Sequence, residues 1–167
     1  MSVLLETSLG DLVIDLLCEE APLACFNFLR LCMSKKMNNR LVIEVQKDHI
    51  ARITSENVGD DWSVYKTKFF KSEISRRKFD RRGIVAMANT GPDQNASNFF
   101  ITLMNEKIDS FYKKHTIIGF VAEEESGSVL DKINQVAVNC NFRPLQNIRI
   151  KHTVVIDDPF EGKEIDF

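Results

Sequence analysis

Ile84 to Leu103, IVAMANTGPDQNASNFFITL, sets the architecture of this chain. Its first apolar run is broken by Gly91-Pro92. Asp93, Asn95 and Ser97 then supply side chains that form turns by bonding nearby backbone. Phe99, Phe100, Ile101 and Leu103 open a second run of the aromatic and branched residues that suit a strand. The stretch reads as strand, tight polar loop, strand.

On either side, further β-prone runs recur with short turns between them. Val3–Glu6 and Leu12–Leu17 flank Ser8-Leu9-Gly10, and Leu41–Val45 and His49–Thr54 flank Gln46-Lys47-Asp48. Thr116–Val121 follows a loop from Met104 to Lys114. Ile148–Ile156 closes the series, with Ile148, Ile150, Val154 and Ile156 expected on one apolar face and His152 among them as a hydrogen-bonded core residue. A helix is predicted from Pro22 to about Lys36. Pro suits its first turn, Glu19-Glu20 and Lys35-Lys36 suit its dipole, and Cys25, Phe26, Leu29, Cys32 and Met33 form its apolar stripe. A second helix follows Glu123–Glu125, with Ser126 or Ser128 as cap and Val129, Leu130, Ile133, Val136 and Ala137 as its stripe. About eight strands in hairpin-rich order imply a mainly β, antiparallel sheet, a barrel or a sandwich, with two helices; closure into a barrel removes exposed edges.

The 167 residues suit one domain, and a net charge of -2 points to neither nucleic acid nor membrane. No apolar run is long enough to span a bilayer, and the first residues, MSVLLETSLG, lack the pattern of a secretory signal. Cys18, Cys25, Cys32 and Cys140 match no metal framework and are expected as free thiols in a reducing compartment. From Ser55 to Trp62 the chain is polar and loop-like. One local charge anomaly stands out: Lys66 to Arg82 carries eight basic residues against Glu73 and Asp80, so the segment is +6 and the remainder -8.

The 84–103 stretch resembles the central motif of the cyclophilins, the peptidyl-prolyl cis-trans isomerases, which read M-A-N-x-G-P-x-x-N-x-S-Q-F-F-I there, with Asn98 where the family usually has Gln. The resemblance covers Val3 to Phe160 and is weakest over Ser55–Lys71, which is shortened. It implies an eight-stranded antiparallel closed β-barrel capped by two α-helices, over residues 1–160. Residues 161–167 would be an acidic tail or the start of a linker.

Rotation about an X-Pro bond crosses an amide-resonance barrier of about 18–20 kcal/mol. A catalyst must favour the twisted amide. It needs an apolar slot for the proline ring, groups that grip the flanking peptide, and a strong donor aimed at the prolyl nitrogen or the carbonyl. A fixed, always-charged guanidinium suits the last task. No nucleophile, metal or cofactor is required.

Active cyclophilins read F-H-R-x-x-x-x-F-M-x-Q-G-G-D over the strand pair matching Leu41–Thr54, where the Arg is the donor, the Phe and Met line the slot and the Gln supports the Arg. Here Ile43 stands for the His, Glu44 for the catalytic Arg, His49 for the Phe, Ile50 for the Met and Arg52 for the Gln. Ile53-Thr54-Ser55 replaces G-G-D. The opposite wall is better kept. Phe100 and His115 hold slot positions, and Ile108 stands for a slot-lining Leu. Ala88, Asn89 and Thr90 offer backbone groups to an extended peptide, and Asn98 an amide. Lys107 stands in place of a Trp, and the loop from Asp109 to Lys114 is about three residues longer than usual.

Two readings follow. In one, catalysis is weak or lost, because Glu44 opposes negative charge on the carbonyl and His49 weakens the slot. In the other, Arg52 pairs with Glu44 and holds a guanidinium near the usual place. The plain alternative is an ordinary surface ion pair worth about 0–1 kcal/mol.

The opening LLETSLGDLVIDL and the run from Phe142 to Phe160 are similar to one subgroup, the nuclear, spliceosome-associated cyclophilins that carry an RNA-recognition motif after the isomerase-like domain. This implies a nuclear (or cytoplasmic) monomer that is not secreted, with proline-containing protein segments and spliceosomal proteins as partners. The 66–82 segment could contact RNA, with Tyr65, Phe69, Phe70 and Phe79 either stacking on bases or anchoring the loop. No RNP-type aromatic motif is present.

Overall fold

In the computed structural model, residues 1–56, 61–65 and 67–163 are described. Lys66, part of the Ser55–Trp62 loop and the end of the acidic tail lie outside the described residues. The strands are β1 (Ser2–Thr7), β2 (Gly10–Leu16), β3 (Leu41–Gln46), β4 (Ile50–Thr54), β5 (Ile84–Asn89), β6 (Asn95–Thr102), β7 (Ile117–Val121) and β8 (Ile150–Val155); the helices are α1 (Pro22–Met33) and α2 (Glu123–Asn134). The strands form one sheet in the order β3-β4-β6-β5-β7-β2-β1-β8, every pair antiparallel. Its two ends meet. Leu41 bridges Arg149, Val42 N–H donates to the Ile148 carbonyl at 3.0 Å, and Ile150 N–H donates to the Arg40 carbonyl at 3.0 Å. The sheet thus curls into the expected barrel.

Alternation along β6 divides two apolar clusters. Phe99 and Ile101 point into the barrel with Val3, Ile14, Val85 and Met87. Phe100 points outward and packs with Phe79, Ile84, Ala86, Ile108 and Ile117. This outer cluster carries the site. The 90–94 loop is tighter than the sequence suggests, because Asn95 and Ser97 are already in β6 and buried. Asn95 Nδ2 donates to the Phe70 carbonyl at 3.1 Å and to Ser72 Oγ at 2.9 Å, which satisfies it inside.

Helix α1 closes one end of the barrel through an edge-to-face contact of Phe28 on Phe99 at 5.4 Å. Glu19 and Glu20 precede the helix, and its first turn holds no acid. The negative charge comes instead from Glu73, whose carboxylate accepts from Leu23 N–H at 3.1 Å and Ala24 N–H at 2.8 Å. The helix ends earlier than expected. Lys35 takes a left-handed φ of 62°, and the N–H groups of Lys35 and Lys36 return to the Cys32 and Leu31 carbonyls. Cys25, Leu29 and Cys32 are buried as the stripe required, but Met33 at the end is 53% exposed.

Helix α2 packs on β2 at the other end. Gly10, at φ +128°, lets the β1–β2 turn approach it; a Cβ there would stand 2.8 Å from Val129. Neither Ser126 nor Ser128 caps this helix, since the cap position is Ala122. Ser126 is buried in its second turn, where it accepts from Val13 N–H and donates to the Asp11 carbonyl. The helix stops at Asn134, so Val136 and Ala137 lie beyond it.

His152 is exposed, against expectation. Between Glu6 and Thr7 the pairing steps from His152 to Ile150, leaving Lys151 as an extra residue. That bulge reverses the alternation. Ile148 and Ile150 are buried, whereas Val154 and Ile156 are 45% and 64% exposed. The four cysteines are free, with Cys25 and Cys32 buried, Cys18 partly so and Cys140 exposed.

Candidate functional site

Cross-strand registration lines up one outward-facing row. Glu44 opposes Arg52, Arg52 opposes Phe100, Phe100 opposes Ala86, and Ala86 opposes Ile117. Partners in register share a face of the sheet, so the acid, the guanidinium and the slot phenylalanine stand side by side. Arg52 Nη2 is 2.9 Å from Glu44 Oε2. Gln46 Nε2 donates to Glu44 Oε1, so both carboxylate oxygens are engaged. Arg52 Nε is buried with no hydrogen-bond partner, while the side chain as a whole is 43% exposed.

The apolar wall is built next to this pair. Phe100 is 3% exposed and stacks on Phe79 at 6.1 Å. Ile50, one alternation along β4 from Arg52, and Ala88 pack on the same cluster. Ile108 is held by its N–H to the Phe79 carbonyl at 2.6 Å. His115 meets Phe100 edge-on at 5.0 Å, and its Nδ1 lies 3.0 Å from the Met87 carbonyl, which requires that nitrogen to carry the proton. Burial lowers the His115 pKa from its ordinary 6.5, the Met87 carbonyl partly opposes this, and the charge of Lys114 reinforces it.

The remaining residues take supporting positions. Asn89 Nδ2 donates to the Lys114 carbonyl at 3.0 Å and so ties β5 to the loop before His115. Thr90 is exposed and donates to Gln94. Asn98 is half-buried, and its amide oxygen accepts from Arg40 Nη1 at 3.3 Å. Lys107 pairs with Asp109 in solvent. An open groove of about 520 Å³, lined by Ser72, Asn89, Thr90, Asp93, Lys114 and His115 among others, runs beside the slot.

Phe111 has no place in the sequence reading, yet it sits in the middle of the slot. It lies on a single 3₁₀ turn, Asp109–Phe111, inside the lengthened loop. Its ring stacks on His49 at 5.4 Å and contacts Phe79 at 5.5 Å, Phe100 at 5.1 Å and His115 at 5.3 Å. The signal for it was present: an aromatic residue carried by the extra loop residues between two slot positions.

The three arginines Arg77, Arg81 and Arg82 of the basic segment are engaged within the protein. Arg77 forks onto Glu20 at 2.6 and 2.8 Å, Arg81 lies 4.0 Å over the Phe120 ring, and Arg82 bridges Glu123 and Asp131. Tyr65, Phe70 and Phe79 are buried and anchor the loop. No metal-binding cluster and no helix long and apolar enough to cross a membrane occur among the described residues.

Comparison with known proteins agrees with this geometry. Residues 2–155 match the family described as cyclophilin type peptidyl-prolyl cis-trans isomerase/CLD. Over 96% of its length the chain is 43% identical to human peptidyl-prolyl cis-trans isomerase-like 4, of which it covers 34%. It is 38% identical over 95% of its length to a spliceosome-associated protein, the CWC27 homolog of Danio rerio, again covering 34%. It therefore spans about a third of the length of these relatives. A Cryptosporidium parvum cyclophilin type isomerase, solved in the presence of the dipeptide Ala-Pro, superposes with a TM-score of 0.86 at 29% identity, covering 95% of this chain and all of that one. The chain belongs to the cyclophilin-type peptidyl-prolyl cis-trans isomerase family.

Proposed function

We propose that this domain engages X-Pro segments of protein substrates at the slot around Phe100 and turns them over weakly or not at all. One observation carries the reading: a carboxylate, Glu44, occupies the position of the donor, and the neighbouring guanidinium of Arg52 is neutralised against it at 2.9 Å. A donor already bound to an acid stabilises developing charge on a twisted amide less than a free one. Peptide binding is the better-supported half of the reading, because Phe100, Ile108 and His115 remain together and the groove beside Asn89 and Thr90 can receive a flanking chain.

Arg52 is the substitute donor in this scheme, with Glu44 as its positioning partner and His49, Ile50, Ala88 and Asn98 as flanking contacts. Similarity to a spliceosome-associated relative supports a scaffold role in a splicing-type assembly, and with it a nuclear site of action. An RNA contact would run through Lys71, Arg76 and Lys78, three exposed cations of the basic segment.

Exchange NMR on a short X-Pro peptide tests the reading. Peptide shifts without accelerated cis/trans exchange are expected. Fast exchange that Arg52→Ala abolishes would show a relocated catalytic guanidinium. Fast exchange that survives Arg52→Ala would overturn both roles given to the Glu44–Arg52 pair.

A further inference from the structure

We infer that Phe111 determines what enters the slot: it is an internal occupant that a prolyl ring must displace. The inference rests on the reading of the slot as a prolyl-peptide site. Four rings surround Phe111 at centroid distances of 5.1 to 5.5 Å, from His49, Phe79, Phe100 and His115. These are contact distances for aromatic pairs, so no pyrrolidine ring fits between Phe111 and Phe100.

The loop that carries Phe111 is pinned at its ends, and between them its backbone bonds to itself while the Phe111 ring packs on the barrel. Ile108 N–H reaches the Phe79 carbonyl, and the Lys114 carbonyl accepts from Asn89. Inside these anchors the backbone bonds are local turns, Tyr112 N–H to the Asp109 carbonyl and Lys114 N–H to the Phe111 carbonyl. Lys113 takes a left-handed φ of 58°. Ring packing therefore holds Phe111 in place, not the backbone ladder. The ring can leave the slot with its own turn while both anchors stay bonded.

A self-occupied slot lowers apparent affinity by the fraction of molecules whose ring is out. It selects ligands whose apolar contacts exceed those of Phe111, and it disfavours short peptides that offer a lone proline. Residues flanking the proline then decide binding through the neighbouring groove.

The test is an NMR titration of acetyl-Ala-Ala-Pro-Ala-amide into the unmodified domain, Phe111→Ala and Phe111→Leu. Both variants should bind about tenfold or more tightly than the unmodified domain. In the unmodified domain, nuclear Overhauser contacts between the Phe111 and Phe100 rings should vanish as peptide saturates. Equal affinity in a folded variant, or ring contacts that persist at saturation, would overturn the role of Phe111 and leave the prolyl-peptide reading intact. Absence of binding by the unmodified domain and both folded variants would overturn both.

Discussion

Arg52 Nη2 stands 2.9 Å from Glu44 Oε2, between two strands whose register also places Arg52 opposite Phe100. The pair puts an acid at the usual donor position and the guanidinium at the neighbouring Gln position without moving the row. A guanidinium stays near the slot, but it belongs to the other strand and is bound to an acid. If that exchange limits turnover, the double substitution Glu44→Arg with Arg52→Gln should raise the isomerase rate. A gain of about tenfold or more is reasonable for restoring one charge-stabilising donor, and it should grow when Phe111→Ala is added. Exchange NMR or a coupled proteolysis assay reads the effect; an unchanged rate in the triple variant removes the donor argument.

His115 is held neutral by burial, with a folded pKa below 6.5. Between its folded and unfolded values the unfolded chain binds more protons, so this group's contribution to stability falls as pH drops below about 6.5 and levels off below the folded pKa. Urea unfolding from about pH 7.5 to about 5.5 should show a loss that His115→Asn reduces. A variant with the same pH slope as the unmodified domain would place the effect elsewhere.

Among the described residues, it is the Glu73 carboxylate that accepts from the first N–H groups of α1, which has no side-chain cap of its own at Ala21. Glu73→Ala should destabilise the domain by about 1–2 kcal/mol, and Glu73→Gln by less, since an amide oxygen keeps one acceptor. Denaturant midpoints at constant slope decide this. Equal midpoints would mean that water caps the helix as well.

RNA contact through the basic segment should be weak and electrostatic. With Lys71, Arg76 and Lys78 as the phosphate ligands, the salt slope for a single strand should be about -2, so affinity should fall roughly 15- to 20-fold between about 0.05 and 0.2 M salt. A much steeper slope would implicate the arginines that Glu20, Glu123 and Asp131 now hold, and would require those pairs to open.

Reading the chain alone located the eight strands and two helices of the described residues, because period-two and period-3.6 apolar patterns are local and survive in any window of sequence. The cyclophilin resemblance also offered a Glu44–Arg52 pair as one of two readings, and the structure forms it across β3 and β4. What it missed depended on residues far apart or on a break in periodicity. The bulge at Lys151 turned His152, Val154 and Ile156 outward, and nothing in the apolar pattern of β8 marks it. The acid at the start of α1 is Glu73, fifty positions from Leu23, and not the adjacent Glu19-Glu20. Phe111 has no place in the sequence reading of the long loop, and only the meeting of His49, Phe79, Phe100 and His115 around it shows that its ring fills the slot. Short-range periodicity determined the strands and helices, and the resemblance of the 84–103 motif to the cyclophilins selected the barrel among the sheets they could form. Tertiary structure decided which ring occupies the slot and which acid meets which base, because those depend on contacts that form only once the barrel has closed.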